Sequence, residues 1–325
     1  MTGPFVGFVI DEPPQGEVSV LDRFTAASRS MSRNEGHASR KAIPHLNAGD
    51  MRPFLSKRNR KEYGNSIDLK NEVHERWRRR FRTTDNQRRF RTFLDEFFHL
   101  IEGNQPAGRS VLDAGCGSGE KSIELSKRDY NCVSVDVSDW ALRNARKAIK
   151  QHDLSDKIVL LQEDLSRMNF ANNTFDYLLC WGVLMHIKEL SSVLDELTRV
   201  LAPGGFLIVN EINMHSLESR IFRQVANLSS KTVSVRKAPY GVEIERKIGK
   251  SEMFVRHSDL RSLVSGFQRR GLVLDHELPD QITEAYKYFG EGWCRNMVQG
   301  GNIRLRKSQM AASVAFSKTL VFRKE

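Results

Sequence analysis

The stretch Val111-Leu112-Asp113-Ala114-Gly115-Cys116-Gly117-Ser118-Gly119 decides the fold. An apolar run that reads as a strand end meets an acid, then glycines at alternate positions, then the helical pattern Glu120-Lys121-Ser122-Ile123-Glu124-Leu125. Glycine tolerates positive φ and has no Cβ to hold a ligand off the main chain. A strand–glycine loop–helix unit therefore lets backbone lie flat against a nucleoside-bearing ligand. The spacing is G-x-G-x-G, whereas the dinucleotide pattern is G-x-G-x-x-G with a pyrophosphate on the helix N-terminus. Glu120 stands at that N-terminus; its carboxylate would repel a pyrophosphate but tolerates a zwitterionic, sulfonium-bearing ligand. No G-x-x-x-x-G-K-[ST] loop occurs. Taken alone, the segment also fits a tight strand–helix turn without a ligand.

Working outward, Cys132-Val133-Ser134-Val135-Asp136-Val137-Ser138 reads as a second buried strand ending in an acid. Asp136 falls about 20 residues past the first glycine, where α/β nucleotide folds place the carboxylate that accepts ribose hydroxyls. Leu160-Leu161-Gln162-Glu163-Asp164-Leu165 is a third strand end with an acidic tip, though Asp164 also fits a helix N-cap. Phe175–Trp181 reads as a fourth strand and Gly205–Asn210 as a fifth, preceded by the turn Leu201-Ala202-Pro203-Gly204-Gly205. Strands alternating with helical patterns predict a parallel sheet, with the acids gathered along its carboxyl edge.

This ordered set resembles the class I S-adenosylmethionine-dependent methyltransferases, nearest to the ubiquinone/menaquinone-methyltransferase-like branch that acts on small molecules. The residues that carry the resemblance are VLDAGCGSGEKSIEL, the acid of VSVDVS, QEDL, FDYLLCWGVLMHI and the run Arg199–Glu211, together covering about residues 108–212. The resemblance implies an α/β, Rossmann-like, doubly wound seven-stranded sheet with N-terminal helices and a substrate-cap insertion after the fifth strand. It also implies S-adenosyl-L-methionine as cofactor. Asp113 and the backbone of Gly115, Gly117 and Gly119 would surround the methionyl part. Asp136, with Val137 beside it, would bind the ribose hydroxyls. Asp164 would meet the adenine amino group and Leu165 the ring, and Cys180 would offer its carbonyl to the methionyl amine.

A chain of 325 residues is long enough for one large domain with additions. The expected organisation is a loosely packed leader over 1–60, N-terminal helices over 61–105 covering the active site, and a methyltransferase domain over 106–325 with a cap insertion at 213–257. Pro13-Pro14 and the scattered polar residues mark the leader. Val73, Trp77 and Phe81 share one helical stripe, and Phe90, Phe93, Leu94, Phe97, Phe98 and Ile101 another. In the insertion, Leu217, Ile221, Phe222 and Val225 suggest a helix, and Lys231–Phe254 a hairpin around Pro239-Tyr240-Gly241. Ser258-Asp259 reads as an N-cap and Gly271 as the stop of the helix that follows. Leu272–His276 and Ser317–Phe322 supply the last two strands. Tyr286, Tyr288, Phe289 and Trp293 between them suit either a pocket for an apolar substrate or the packing of a helix.

Four scattered cysteines without a C-x-x-C, no membrane span and no basic-then-apolar leader predict a cytoplasmic protein with reduced thiols and no metal site. The net charge of +11 draws on Arg76, Arg78, Arg79, Arg80, Arg82, Arg88, Arg89 and Arg91, which form either an anion-binding patch or a solvated helix face. Methyl transfer from a sulfonium needs alignment and exclusion of water; a hydroxyl acceptor also needs a base poised near neutrality. His186, just past the fourth strand, is the first candidate, with a hydrogen-bonded structural residue as the alternative. His215 is second and His257 third, while Glu211 either binds substrate or finishes its strand. The absence of an Asn/Asp-Pro-Pro-Tyr run after strand four disfavours amino-methyltransferases of adenine or glutamine, and the absence of a Pro-Cys pair disfavours a cytosine C5 enzyme. The reading is a methyltransferase acting on a small-molecule O, N or C atom. The alternatives are an RNA methyltransferase using the basic surface and a non-catalytic cofactor-binding protein.

Overall fold

The computed structural model describes residues 84–229, 232–248, 251–289, 292–306 and 314–325. The expected leader, the expected helical stripe of Val73, Trp77 and Phe81, and the arginines from Arg76 to Arg82 lie outside the described residues.

The elements in chain order are α1 (Thr84–Leu100), β1 (Ser110–Ala114), α2 (Glu120–Ser126), β2 (Asn131–Asp136), α3 (Asp139–Gln151), β3 (Ile158–Gln162) and β4 (Phe175–Trp181). They continue with α4 (Leu190–Val200), β5 (Leu201–Ile212), α5 (Leu217–Leu228), β6 (Thr232–Ala238), β7 (Gly241–Ile248) and β8 (Ser251–Ser258). The chain closes with α6 (Leu260–Gln268), β9 (Leu272–Gln281), α7 (Trp293–Leu305) and β10 (Ser317–Lys324). Seven strands form one sheet in the order β3-β2-β1-β4-β5-β10-β9. β1 to β5 pair in parallel; β10 runs antiparallel to both β5 and β9. The order reverses between β1 and β4, so the crevice outside their carboxyl ends is the topological switch point where such sheets bind ligands.

The central strands are buried on both sides, which is why β4 reads as a nearly continuous apolar run rather than an alternating one. On one face Leu112, Leu178, Leu207, Val209 and Phe322 pack against Leu194 and Leu197 of α4 and Leu263 and Phe267 of α6. On the other, Val111, Tyr177, Leu179, Phe206 and Ile208 pack against Phe90, Phe93, Leu94, Phe97 and Ile101 of α1. The aromatic stripe of α1 therefore lies flat on the sheet. Phe97 meets Tyr177 and Phe206 edge-on, and Phe90 and Phe93 meet Trp181 at the end of β4. Burying each Phe is worth about 1.5–3 kcal/mol. Among the described residues of the N-terminal region, helix packing on a sheet face is thus the observed role.

The insertion is richer than a hairpin. After α5 come three antiparallel strands in the order β6-β7-β8, a separate small sheet. The Pro239-Tyr240 turn joins β6 to β7, and β8 is the strand that period-two reading folded into the hairpin. β8 reaches the main sheet through the Asn213–Ser258 bridge and the Met214 N–H to Ser258 carbonyl bond of 2.9 Å. Asp259 caps α6 by accepting from the Arg261 N–H, and Gly271 takes positive φ just past its end. The aromatic connection also divides. Tyr286 is buried and its hydroxyl accepts from Gln281, while Phe289 and Trp293 are exposed, Trp293 at 74%. Tyr286 therefore serves packing, and Trp293 does not line an enclosed pocket. The side chain of Tyr288 lies outside the described residues.

Candidate active site

The glycine loop leaves β1 and is pinned to β2 by main chain: the Gly115 and Cys116 N–H groups both donate to the Val135 carbonyl, at 2.8 and 2.9 Å. Gly115 has φ +79°, and a Cβ there would sit 2.5 Å from the Val183 side chain, so only glycine fits between loop and post-β4 turn. Gly117 has φ +56° with nothing within 4 Å of a notional Cβ, which leaves bare backbone facing open space. Gly119 supplies the left-handed residue from which α2 starts.

Asp113 is fully buried and turned under α2. The Ser122 hydroxyl donates to its carboxylate, and the Ser134 hydroxyl donates in turn to Ser122 Oγ at 2.8 Å. Burial pushes its pKa up to about 6, against the pull of Lys121 and the Ser122 bond. This serine relay was not foreseen; the spacing Ser122–Ser134 has no signature without the fold. Asp136 sits at the tip of β2. Its Oδ2 accepts from the Gly117 N–H at 2.9 Å and its Oδ1 from the Ser138 N–H at 2.8 Å. A carboxylate offers two oxygens with about four acceptor lone-pair sites, the kind of group that accepts a vicinal diol. Val137 follows, its carbonyl accepting from Gln162 Nε2 at 2.9 Å.

Asp164 lies two residues past the end of β3 and caps a tight turn, not a helix: its Oδ1 accepts from the Ser166 N–H and hydroxyl, at 2.9 and 2.8 Å. Leu165 is buried in the hydrophobic core, and Cys180 is fully buried within β4, its thiol pushed well up by burial. All these residues gather at the carboxyl ends of β1 to β4, with the bare Gly117 backbone and the Asp136 carboxylate side by side. That arrangement fits an adenosyl ligand: a diol acceptor is present, and the main chain is accessible where a Cβ would project.

The post-β4 segment forms a 3-10 turn, Leu184–His186. His186 closes it, half-buried, with Nδ1 3.0 Å from the Phe254 carbonyl of β8. His215 follows β5 and is half-exposed; its N–H donates to Asn213 Oδ1, and its Nε2 stands 3.7 Å from Asp259. His257 is buried between Phe222 and Phe316, and burial holds its pKa down at about 3, so it stays neutral. A buried, ring-packed imidazole of this kind is a core residue. Glu211 does not merely finish β5. It is fully buried and accepts from the Ser258 hydroxyl at 3.3 Å. Burial raises its pKa to about 8 against the amides of Met185 and Leu184, whose geometry falls short of full hydrogen bonds, so Oε1 keeps no partner.

Part of the arginine run is consumed internally. Arg89 pairs with buried Asp280 at 3.5 Å, which draws it inward, whereas Arg91 reaches Glu124 at 3.6 Å and stays exposed. No cluster of metal-ligating side chains occurs among the described residues. No helix among them is long and apolar enough to cross a membrane.

A doubly wound sheet with a glycine loop and an acid, Asp136, at its switch point is the architecture of a nucleotide-binding α/β protein. Residues 106–302 match the model of the methyltransferase-domain family, and the chain belongs to that family. A sterol 24-C-methyltransferase of Aspergillus fumigatus is 34% identical over 105 residues, 32% of this chain and 28% of that protein. A ubiquinone biosynthesis O-methyltransferase of Psychrobacter cryohalolentis is 28% identical over 108 residues, 33% of this chain and 42% of that protein. The chain thus spans well under half the length of these curated relatives. In fold it is similar to an S-adenosylmethionine-dependent methyltransferase of Clostridium acetobutylicum, with a TM-score of 0.51 at 16% identity, covering 78% of this chain and 98% of that one. S-adenosylmethionine is the cofactor that this family membership assigns.

Proposed function

We propose that this chain transfers a methyl group from S-adenosylmethionine to a small organic acceptor held between the carboxyl edge of the main sheet and the β6-β7-β8 cap. The observation that carries the reading is the Asp136 carboxylate, bonded to the glycine loop through Gly117 and to the start of α3 through Ser138. It joins the glycine loop to the start of α3, and a carboxylate in that place is suited to accept ribose hydroxyls. In this reading Asp164 and Leu165 border the adenine, and Asp113 acts from beneath α2 by holding the loop through Ser122. The relatives named for sterol and ubiquinone substrates support an apolar acceptor.

The cofactor supplies the methyl group and its leaving group when bound; the chain's residues supply alignment and a dry site. For a hydroxyl acceptor, His186 takes the proton. It stands on the turn that abuts Gly115 through Val183, next to the loop. With Nδ1 at the Phe254 carbonyl donating its hydrogen, Nε2 is the basic nitrogen. His215, partnered by Asp259 beyond the cap, is the second candidate. The basic surface offers no specific feature for RNA among the described residues. The free thiols Cys116, Cys132, Cys180 and Cys294 support a reducing, cytoplasmic setting.

The test is incubation of the full chain with methyl-labelled cofactor and a lipid-soluble cell extract, with product identified by mass. A labelled small molecule in the wild type that is absent from Asp136→Ala supports the reading. Label confined to RNA, or none at all despite cofactor binding, overturns it.

A further inference from the structure

The turn that carries His186 meets buried polar side chains on two sides. On its carbonyl side, Arg256 of β8 donates from Nη1 to the Ile187 carbonyl at 2.7 Å and the Leu184 carbonyl at 3.3 Å, and from Nη2 to the Lys188 carbonyl at 2.8 Å. The guanidinium is 2% exposed and is neutralised by Glu243 of β7, itself buried. On its amide side, Glu211 of β5 faces the Leu184 and Met185 N–H groups. Two further ties come from the cap: the Phe254 carbonyl on His186 and Glu245 on Lys188 at 2.7 Å. Three carbonyls of one short turn converging on a single guanidinium is a costly way to stabilise a loop. Burying an arginine and its carboxylate is often neutral in net stability, so stability alone does not account for it. The arrangement does fix backbone position, because the planar fork dictates where each carbonyl must stand.

We propose that Arg256 is a positioning residue for the methyl-transfer site: from the cap it fixes the Leu184–Lys188 backbone, and through it the place of His186 at the ligand edge. The proposal rests on the function proposed above. It makes seating of the cap and assembly of the site one event, since Arg256 can hold the turn only when β8 is docked on the sheet.

The experiment uses isotope-labelled full chain and two readouts, amide hydrogen exchange and the pH titration of the His186 ring, the latter assigned with His186→Gln. In Arg256→Met, exchange protection over residues 184–188 is expected to fall at least about tenfold, as for loss of a hydrogen bond to a charged group. β1, β4 and β5 keep theirs, and the His186 titration moves. Arg256→Lys, with donors but no fork, restores part of both. An unchanged turn and titration in Arg256→Met overturns the proposal, as does a loss spread evenly over the whole sheet. Should Arg256→Met fail to fold, Glu243→Gln is read instead: loosening confined to the turn supports the proposal, and no change there overturns it. S-adenosylhomocysteine calorimetry on the wild type tests the functional reading separately. No binding there removes the methyltransferase reading, while the exchange data still decide whether Arg256 holds the turn.

Discussion

The glycine-loop half and the cap half of the site are held by different physics. Around Gly115–Gly119 the groups that fix geometry are main-chain amides, a strand carbonyl and the Asp136 carboxylate, with Asp113 set beneath through Ser122. Around the Leu184–His186 turn they are the buried Arg256–Glu243 ion pair and the buried, protonated carboxyl of Glu211. Backbone recognition needs glycine at set positions and leaves a mark in the sequence. Charge-held geometry draws on residues far apart in the chain, and it responds to pH.

The largest effect that separates the halves concerns His186. His186→Gln is expected to slow methylation of a hydroxyl acceptor by about 10²–10⁴-fold while cofactor affinity stays close to wild type. Steady-state kinetics alongside calorimetry reads both, and wild-type turnover would remove His186 as base. On the loop side, Asp136→Ala should weaken S-adenosylhomocysteine binding about 100-fold, the loss of two hydrogen bonds to a charged acceptor, with the melting curve little changed. Normal affinity there would break the ribose assignment. Next comes Gly115→Ala, which meets both positive φ and Val183; a loss of about 1–3 kcal/mol in denaturant unfolding is expected. An unaffected variant would show that the loop and the post-β4 turn are not in contact.

The smallest effect is a pH slope. Glu211 keeps in the folded chain a proton that the unfolded chain gives up near the ordinary glutamate value of 4.5, and the folded pKa is about 8. Its contribution to stability is full below the unfolded value and is lost as pH rises through the folded one. His257 acts in the opposite sense: its folded pKa of about 3 makes stability fall as pH drops below 6.5. Above that point the His257 contribution is level, and that of Asp113, whose folded pKa is about 6, is nearly spent by pH 7, so a decline of apo-protein stability from pH 7 to 8 reports chiefly on Glu211. Glu211→Gln should flatten it. An identical slope in the variant would mean that the carboxyl group is already ionised in the folded chain.

The same contrast explains what could be read without coordinates. β4 coincides with the predicted Phe175–Trp181, and the tip of β2 with Asp136, because buried parallel strands leave continuous apolar runs ending at acids. The α1 stripe was legible because Phe90, Phe93, Phe97 and Ile101 recur at helical spacing. The sequence pattern marks β9 only over Leu272–His276, whereas it runs to Gln281, because pairing with β10 carries the strand on through Pro279. It merged β7 and β8, since the alternation continues through both. The Arg256–Glu243 pair escaped entirely: two charges thirteen residues apart on a polar-looking segment carry no mark of burial until the strands pair.

The most direct measurement is a crystal structure of the full chain with S-adenosylhomocysteine. The account predicts the ligand at the carboxyl ends of β1 and β4, its ribose hydroxyls on the Asp136 carboxylate and its amino-acid end along the Gly115–Gly117 backbone. A ligand lodged anywhere else, or a ribose that Asp136 does not touch, would contradict it.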